Sequence, residues 1–404
     1  MHRCLLIVEV QRSIFRKVRD AKGKNLGTLV KLARTCRAFS PSALDVLWEH
    51  LDSFIRLIQC LPRDSAKASF VAVTFQQNLQ RPMSAEDWKV LFQYSVRVRS
   101  VASGRPYLTL DDQGFAAYSK DVIFALCHPP TGGSLIPHLK ELSWDITEQA
   151  HASLLYQLLT PSVVCLTLHT TIRSPLNAPE VSVLSYIATA CPQLKVLDIK
   201  SSPYCDYFLN GFRILSTAKL FGVTLDEQAL LHVSRLQLTE LSMSLPDDFS
   251  VDSIRPHLGA PAFGSITSLT VGAGTVTPLT SLLGELEIAP ESVTLRVHGY
   301  VDVDNTKALF TALVSACSSE VLVKLCLDAP YMGEQDTAGW ARGISLDLIE
   351  PLFSLPNISS FTLDVPNKIT LDDTDMTTIG KYWPYLQTLS TNENIPGMVM
   401  PHRK

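Results

Sequence analysis

Apolar positions between residues 137 and 391 follow a repeating rule. In six copies a proline is followed two, five and seven residues later by mostly apolar side chains: Pro137 by Leu139, Leu142 and Trp144; Pro161 by Val163, Leu166 and Leu168; Pro192 by Leu194, Leu197 and Ile199; Pro290 by Ser292, Leu295 and Val297; Pro356 by Ile358, Phe361 and Leu363; Pro384 by Leu386, Leu389 and Thr391. Two copies break the apolar rule, at Ser292 and Thr391. Residues two apart on an extended chain point to one side and the residue between them to the other, so each copy predicts a strand with one apolar face. Proline fits the strand entry, where its fixed φ ends the preceding element and its missing N–H does no harm. Four proline-free copies fill the gaps: Leu220, Val223, Leu225; Leu238, Leu241, Met243; Ile266, Leu269, Val271; and Leu322, Leu325, Leu327. The middle anchors advance from Leu142 to Leu389 in nine steps that average about 27 residues.

Segments with helical spacing lie between the strands, such as Ser153 to Leu159, Val181 to Ile187, Ala229 to Val233 and Ala308 to Val314. Units of one strand and one helix, each with a single apolar face, bury those faces only by stacking. The pattern predicts an α/β solenoid over residues 96–404, with parallel inner strands and outer helices, at a leucine-rich-repeat period. An ordinary open α/β sheet also alternates strands and helices, but it requires no fixed period. After Leu389 the sequence shows no helical period. The last unit is therefore expected to be the least stable, with Ile395, Met398, Val399 and Met400 folding over its end or staying mobile.

The opening residues differ. Ile7, Val10, Ile14, Phe15 and Val18 have helical spacing, as do Leu29, Leu32, Ala33, Cys36 and Phe39. Ser40 and Pro41 read as an N-cap and first helical residue ahead of Ala43, Leu44, Leu47 and Trp48. Three short helices over residues 1–60 carry more large apolar side chains than so small a bundle can cover, so the surplus needs a partner surface. Residues 61–95 read as a linker and N-terminal cap of the solenoid. They hold one expected strand, Phe70 to Phe75, and a helix capped by Ser84 with Glu86 and Asp87 in its first turn.

Leu6-Ile-Val-Glu-Val10 with Ile14-Phe15, then Leu29-x-x-Leu-Ala-x-x-Cys36-Arg37-x-Phe39, then Ala43 to Trp48, resembles the F-box motif of the F-box/leucine-rich-repeat proteins numerous in fungi. Arg81 to Trp88, leading into Tyr94 to Arg99, is similar to the segment that joins the F-box to the first repeat in that family. Val8 stands where the family usually has proline. The resemblance implies an F-box-like helical module that docks onto a Skp-type adaptor and, through it, a cullin complex, while the repeats hold a target for ubiquitination. By that analogy Leu6, Ile7, Val10, Ile14, Phe15, Leu32, Phe39, Leu44 and Trp48 divide between the internal core and the adaptor interface. A leucine-rich-repeat scaffold with no ubiquitin-ligase connection is the alternative reading.

Composition limits the remaining classes. Across 404 residues 46% are hydrophobic, ample for a continuous core, yet no run reaches the length of a membrane helix and the apolar start is too short for a secretory signal. An intracellular, cytoplasmic or nuclear protein is expected. Nine cysteines without a Cys-x-x-Cys spacing fit reduced, buried thiols, and no metal or other cofactor is expected. The net charge of −4 gives no reason to expect nucleic acid. Arg12, Arg16, Lys17, Arg19, Lys22 and Lys24 read as a solvated helix face and loop. No phosphate-cradling, nucleophile-elbow or zinc-protease motif occurs, so no enzyme activity is expected. The residues flanking the strand anchors are rich in hydroxyls and in acidic over basic groups, which favours a target with a basic or polar segment. From these the target-contact candidates are Glu141, Asp145, Asp198, Asp226, Glu240, Arg296, His298, Asp328 and Asp364.

Overall fold

The computed structural model describes residues 3–21, 26–52, 55–62, 64–71, 74–101, 109–110, 114–118, 120–130, 132–146, 149–170, 186–200, 211–258, 262–299, 301, 303–329, 344–365 and 369–391. Ile395, Met398, Val399 and Met400 lie outside these residues. The chain divides into two compact units, Met1–Val196 and Leu197–Lys404.

In the first unit, helices α1 (Val8–Asp20), α2 (Leu26–Thr35) and α3 (Ser40–Glu49) surround a small core of Phe15, Leu29, Ala43 and Val46. Val18, Leu32, Ala33, Phe39 and Leu47 pack against that core, and Phe15 meets Phe39 edge to face at 5.7 Å. Ser40 is already helical. Phe39 holds the N-cap position without a side-chain cap bond, and Pro41 falls in the first turn, where a missing N–H is harmless.

A two-residue strand, β1 (His50–Leu51), follows α3 directly, and α4 (Ile55–Ile58) comes next. The single strand expected over Phe70 to Phe75 is instead a hairpin of β2 (Ala66–Val71) and β3 (Thr74–Leu79), in which Phe70 pairs with Phe75. After α5 (Ala85–Ser95) come β4 (Ser100–Val101), β5 (Thr109–Leu110) and β6 (Gly114–Tyr118). β2, β3, β6 and β5 form a separate four-stranded sheet. The main ladder pairs β1 with β4, β4 with β7 (Glu141–Ile146) and β7 with β8 (Cys165–Thr170), all parallel. It thus starts at residue 50, inside the segment expected to be purely helical. Pairs of two residues are too short to show alternation in a sequence. Helices α6 (Lys120–Cys127) and α7 (Gln149–Leu158) pack together in this unit.

Strand β9 (Val196–Lys200) lies at the division between the units. The second unit carries β10 (Thr217–Thr224), β11 (Glu240–Ser244), β12 (Ser268–Ala273), β13 (Ser292–Val297), β14 (Lys324–Asp328), β15 (Ser360–Asp364) and β16 (Thr388–Thr391), each paired parallel to the next. Helices Glu227–Ser234, Val276–Leu283, Val303–Ala316, Leu346–Ile349 and Asp373–Tyr382 lie in the connections. The architecture is the α/β repeat fold read from the spacing. Leu241, Leu269, Val293, Leu325 and Phe361 align in one buried row, and Met243, Val271, Leu295, Leu327 and Leu363 in the next. Leu389 and Thr391 continue these rows in β16 only half-buried.

Two frames differ from the sequence reading. In β13 the residues aligned with the middle and last anchors are Val293 and Leu295, two positions before the expected pair, so Ser292 breaks no rule. In β10 the ladder shifts between Lys219 and Thr224, and Ala218, not Val223, lies opposite Leu241. The prolines also act one step earlier than expected. Pro137, Pro161, Pro192 and Pro384 each follow a residue whose carbonyl accepts the N–H three positions on: Leu139 to Ile136 at 3.3 Å, and Val163 to Thr160, Leu194 to Cys191 and Leu386 to Trp383 at 3.1 Å. Proline therefore fills the second position of a β-turn ahead of the strand, where its fixed φ is pre-set.

Close approach limits side chains at two loop positions after the strands, strictly at Gly299 and, at Gly274, unless the Asp247 side chain moves. A Cβ on Gly299 would run into the Gly274 carbonyl, and one on Gly274 into the Asp247 carboxylate, because successive turns stack directly. Among the described residues no helix is long and apolar enough to cross a membrane.

α5 begins with the expected cap in a fuller form. Ser84 accepts from the Asp87 N–H, and the buried Asp87 carboxylate accepts from the Ser84 N–H and hydroxyl at 2.8 Å, from Ser65 at 2.8 Å and from Arg81 at 2.6 Å. Burial pushes this carboxyl up, but the donors outweigh it and hold the group far below the usual carboxylate range. A depressed folded pKa contributes stability above the unfolded value of about 3.9, and that contribution fades as pH falls below it. Asp87→Ala is expected to destabilise the first unit at pH 7 by about 1–2 kcal/mol. In thermal unfolding scans of both proteins from pH 7 to pH 2.5, the difference between them should shrink on acidification.

Candidate functional site

The first helices combine a closed internal core with an uncovered apolar surface. Leu6 is 59% exposed, Ile7 50%, Val8 43% and Ile14 40%. On α1 and the residue before it, Ile7, Val10 and Ile14 recur at helical spacing, so one stripe faces solvent while Phe15 and Val18 turn to the core. Leu26 and Val30, one turn apart on α2, are also exposed, at 40% and 42%. The sequence reading passed over both, because the stripe of Leu29 and Leu32 drew attention to the buried face. Of the nine adaptor candidates, Leu6, Ile7 and Ile14 are exposed, Val10 and Leu44 half-buried, Leu32 and Phe39 packed on the core, and Phe15 buried at 4%. Phe15 is therefore a core residue, since its ring fills the space between the helices. Trp48 is half-buried, its ring 4.7 Å from that of Tyr94, and it lines a mostly apolar hollow of about 210 Å³ with Leu26, Leu47 and Leu51.

A polar cleft of about 370 Å³ runs beside α1 and α3, lined by Arg12, Arg16, Asp45, Glu49, Arg97, Arg99 and His138. Asp45 accepts from both Arg12 and Arg97. Glu49 accepts from Arg16 at 3.0 and 2.6 Å and from Arg19 at 2.9 Å. Burial pushes the Glu49 carboxyl up, but the two arginines outweigh it and hold the group below its ordinary value. These pairs tie α1 to α3. They also show that Arg12, Arg16 and Arg19 are partnered, not a bare basic run.

The target-contact candidates separate by environment. Glu141 and His298 are exposed. Glu240 is paired with Lys219 at 2.8 Å, Arg296 with Asp328 at 3.4 Å, and Asp198 with Lys200 at 4.0 Å. Asp226 is the N-cap of the helix Glu227–Ser234 and accepts from the Ala229 N–H at 2.7 Å, so its carboxylate is committed to the backbone. Asp145 and Asp364, expected to face out, are buried at 9% and 6% and have contacts of their own. Carboxylates that deep are held by partners and not offered to a target.

Other candidate chemistry is weak. Burial pushes the Cys191 and Cys317 thiols up to about 12 and those of Cys60 and Cys326 to about 11, which keeps them protonated and poor nucleophiles. Among the described residues no group of three His, Cys, Asp or Glu side chains could hold a metal ion.

No protein-family model and no curated protein matches the chain. Among solved structures it is similar to a chain in the crystal structure of the Rad7 and Elc1 complex in yeast, at 12% identity and a TM-score of 0.37, over 95% of this chain and 92% of that one. At this distance, function has to be argued from the residues.

The burial pattern separates two neighbours on α1. Ile14→Asp should leave stability within about 0.5 kcal/mol of wild type, whereas Phe15→Asp should cost on the order of 3–5 kcal/mol and melt the three-helix core. Circular dichroism melts of the two variants check this, and equal destabilisation would contradict the assignment.

Proposed function

We propose that this chain is a substrate-recognition adaptor of a cullin-based ubiquitin ligase, in which the first three helices bind a Skp-type adaptor and the repeats hold a target protein. The observation that carries the reading is the apolar surface left open at Leu6, Ile7, Val8, Ile14, Leu26 and Val30 beside a small core that is already complete. Apolar area of that kind, concentrated on one small module, is the ordinary mark of a protein-binding surface. The F-box resemblance, which includes Leu6, Ile7 and Ile14, names the partner class. In this reading the chain catalyses nothing itself. The target is expected to bring a basic or polar segment, met by residues such as Glu141 and Asp328.

A scaffold without any ubiquitin-ligase link is the second reading. It is favoured by Val8, which replaces the proline usual in that motif and is 43% exposed.

Co-purification with a Skp-type adaptor separates the two. Wild type should retain the adaptor, and Ile7→Asp with Ile14→Asp should weaken capture by at least about tenfold, because a charge must be desolvated in the interface. Absence of capture by the folded wild-type chain would favour the scaffold.

A further inference from the structure

The cleft beside α1 and α3 has more positive charge than its ion pairs need. Four guanidinium groups line it, those of Arg12, Arg16, Arg97 and Arg99, against two carboxylates, Asp45 and Glu49. That leaves a formal excess of two positive charges before His138 is counted. Both carboxylates are already shared, Asp45 between Arg12 and Arg97 and Glu49 between Arg16 and the neighbouring Arg19. The Arg99 guanidinium donates instead to two carbonyls, Val96 at 2.8 Å and Val98 at 3.0 Å. The Nε of Arg97 is buried without a hydrogen-bond partner. Elsewhere the balance differs: Arg81 sits between two carboxylates, Asp64 and Asp87, and Arg255 has Glu285 to itself.

We propose that this cleft binds a small, multiply charged oxyanion of phosphate chemistry. Like charges held within one recess repel, and the repulsion is screened less there than on open surface. A single carboxylate would remove half of the excess, whereas a dianion removes it and offers several acceptor oxygens to guanidinium donors. The volume of about 370 Å³ lies in the range of small-ligand sites. The lining comes from α1, α3, the segment after α5 and His138 ahead of β7, so a bound anion would join the helical module to the start of the ladder within the first unit. The proposal does not depend on the adaptor reading.

The test is isothermal titration of the full chain with inorganic pyrophosphate, at ionic strength matched with chloride, with a phosphoserine peptide as a second arm. Saturable binding to wild type is expected, weakened by about tenfold or more in Arg99→Ala and again in His138→Ala, and largely kept in Arg99→Lys. His138 is exposed, so its variant keeps the test informative should Arg99→Ala fold poorly. Tighter binding of pyrophosphate than of the peptide assigns a small ligand, and the reverse assigns a phosphorylated side chain. Either upholds the site. No saturable heat with either probe, or the same affinity in wild type and the Arg99→Ala, His138→Ala double variant, would overturn it.

Discussion

One hydrogen-bond arrangement sets the register on which the repeats depend. At the entries of β7, β8, β9 and β11 to β16 a single carbonyl accepts two consecutive N–H groups from the next repeat. Arg99 accepts from Lys140 and Glu141 at 2.7 and 3.1 Å, and Lys140 from Val164 and Cys165 at 2.8 and 3.0 Å. In the second unit Thr239 serves Thr267 and Ser268, Thr267 serves Glu291 and Ser292, Glu291 serves Val323 and Lys324, and Val323 serves Ser359 and Ser360. Each clasp fixes where the next strand starts. Because side chains alternate with a period of two, fixing the start decides which residues are buried for the whole strand. The apolar anchors supply the driving force, roughly 1.5–3 kcal/mol for each fully buried aliphatic side chain, and the clasp ensures that they meet.

That constraint explains which parts of the fold were legible from the sequence. The anchor spacing was readable because every unit repeats the same need for two buried side chains after the clasp. The Pro290 copy was read two residues out of frame, yet its faces were right, since a shift of two changes the row and keeps the side. The β10 copy failed because the strand contains an irregularity between Lys219 and Thr224, which no simple period can express. The hairpin at Val71 to Thr74 was invisible for a related reason: two strands separated by so few residues look like one apolar run.

The helical module was legible at the level of helices and not of faces. An amphipathic pattern says that some residues are buried, but it does not say whether a second stripe on the same helix is covered. Ile14 and Phe15 are adjacent and similar in hydrophobicity, yet one is 40% exposed and the other 4%. The difference comes from how α2 and α3 pack against α1, and α1 is held to α3 by ion pairs between residues about thirty apart, such as Arg16 with Glu49. A sequence shows the charges but not their partners, so arginines read as a solvated run become, in the structure, the walls of a cleft.

The polar face of the second unit follows the same register and limits how it can discriminate. The middle row is neutral from β11 to β16, through Ser242, Thr270, Thr294, Cys326, Thr362 and Ser390, and carries one charge at its start, Lys219 of β10, which pairs with Glu240 at 2.8 Å. Charge sits at the ends of the strands, with Glu240 and Lys324 in the entry row and Arg296, Asp328 and Asp364 in the exit row. Asp364 is buried, so the exit row presents mainly Arg296 and Asp328, already facing each other at 3.4 Å. A count of acidic residues along this face therefore overstates the charge a partner would meet. Selectivity on this unit has to come from charge at the strand ends and from the loops beyond them, because Ser242 and Ser390 are buried and the half-buried hydroxyls of Thr270, Thr294 and Thr362 do not distinguish one partner from another.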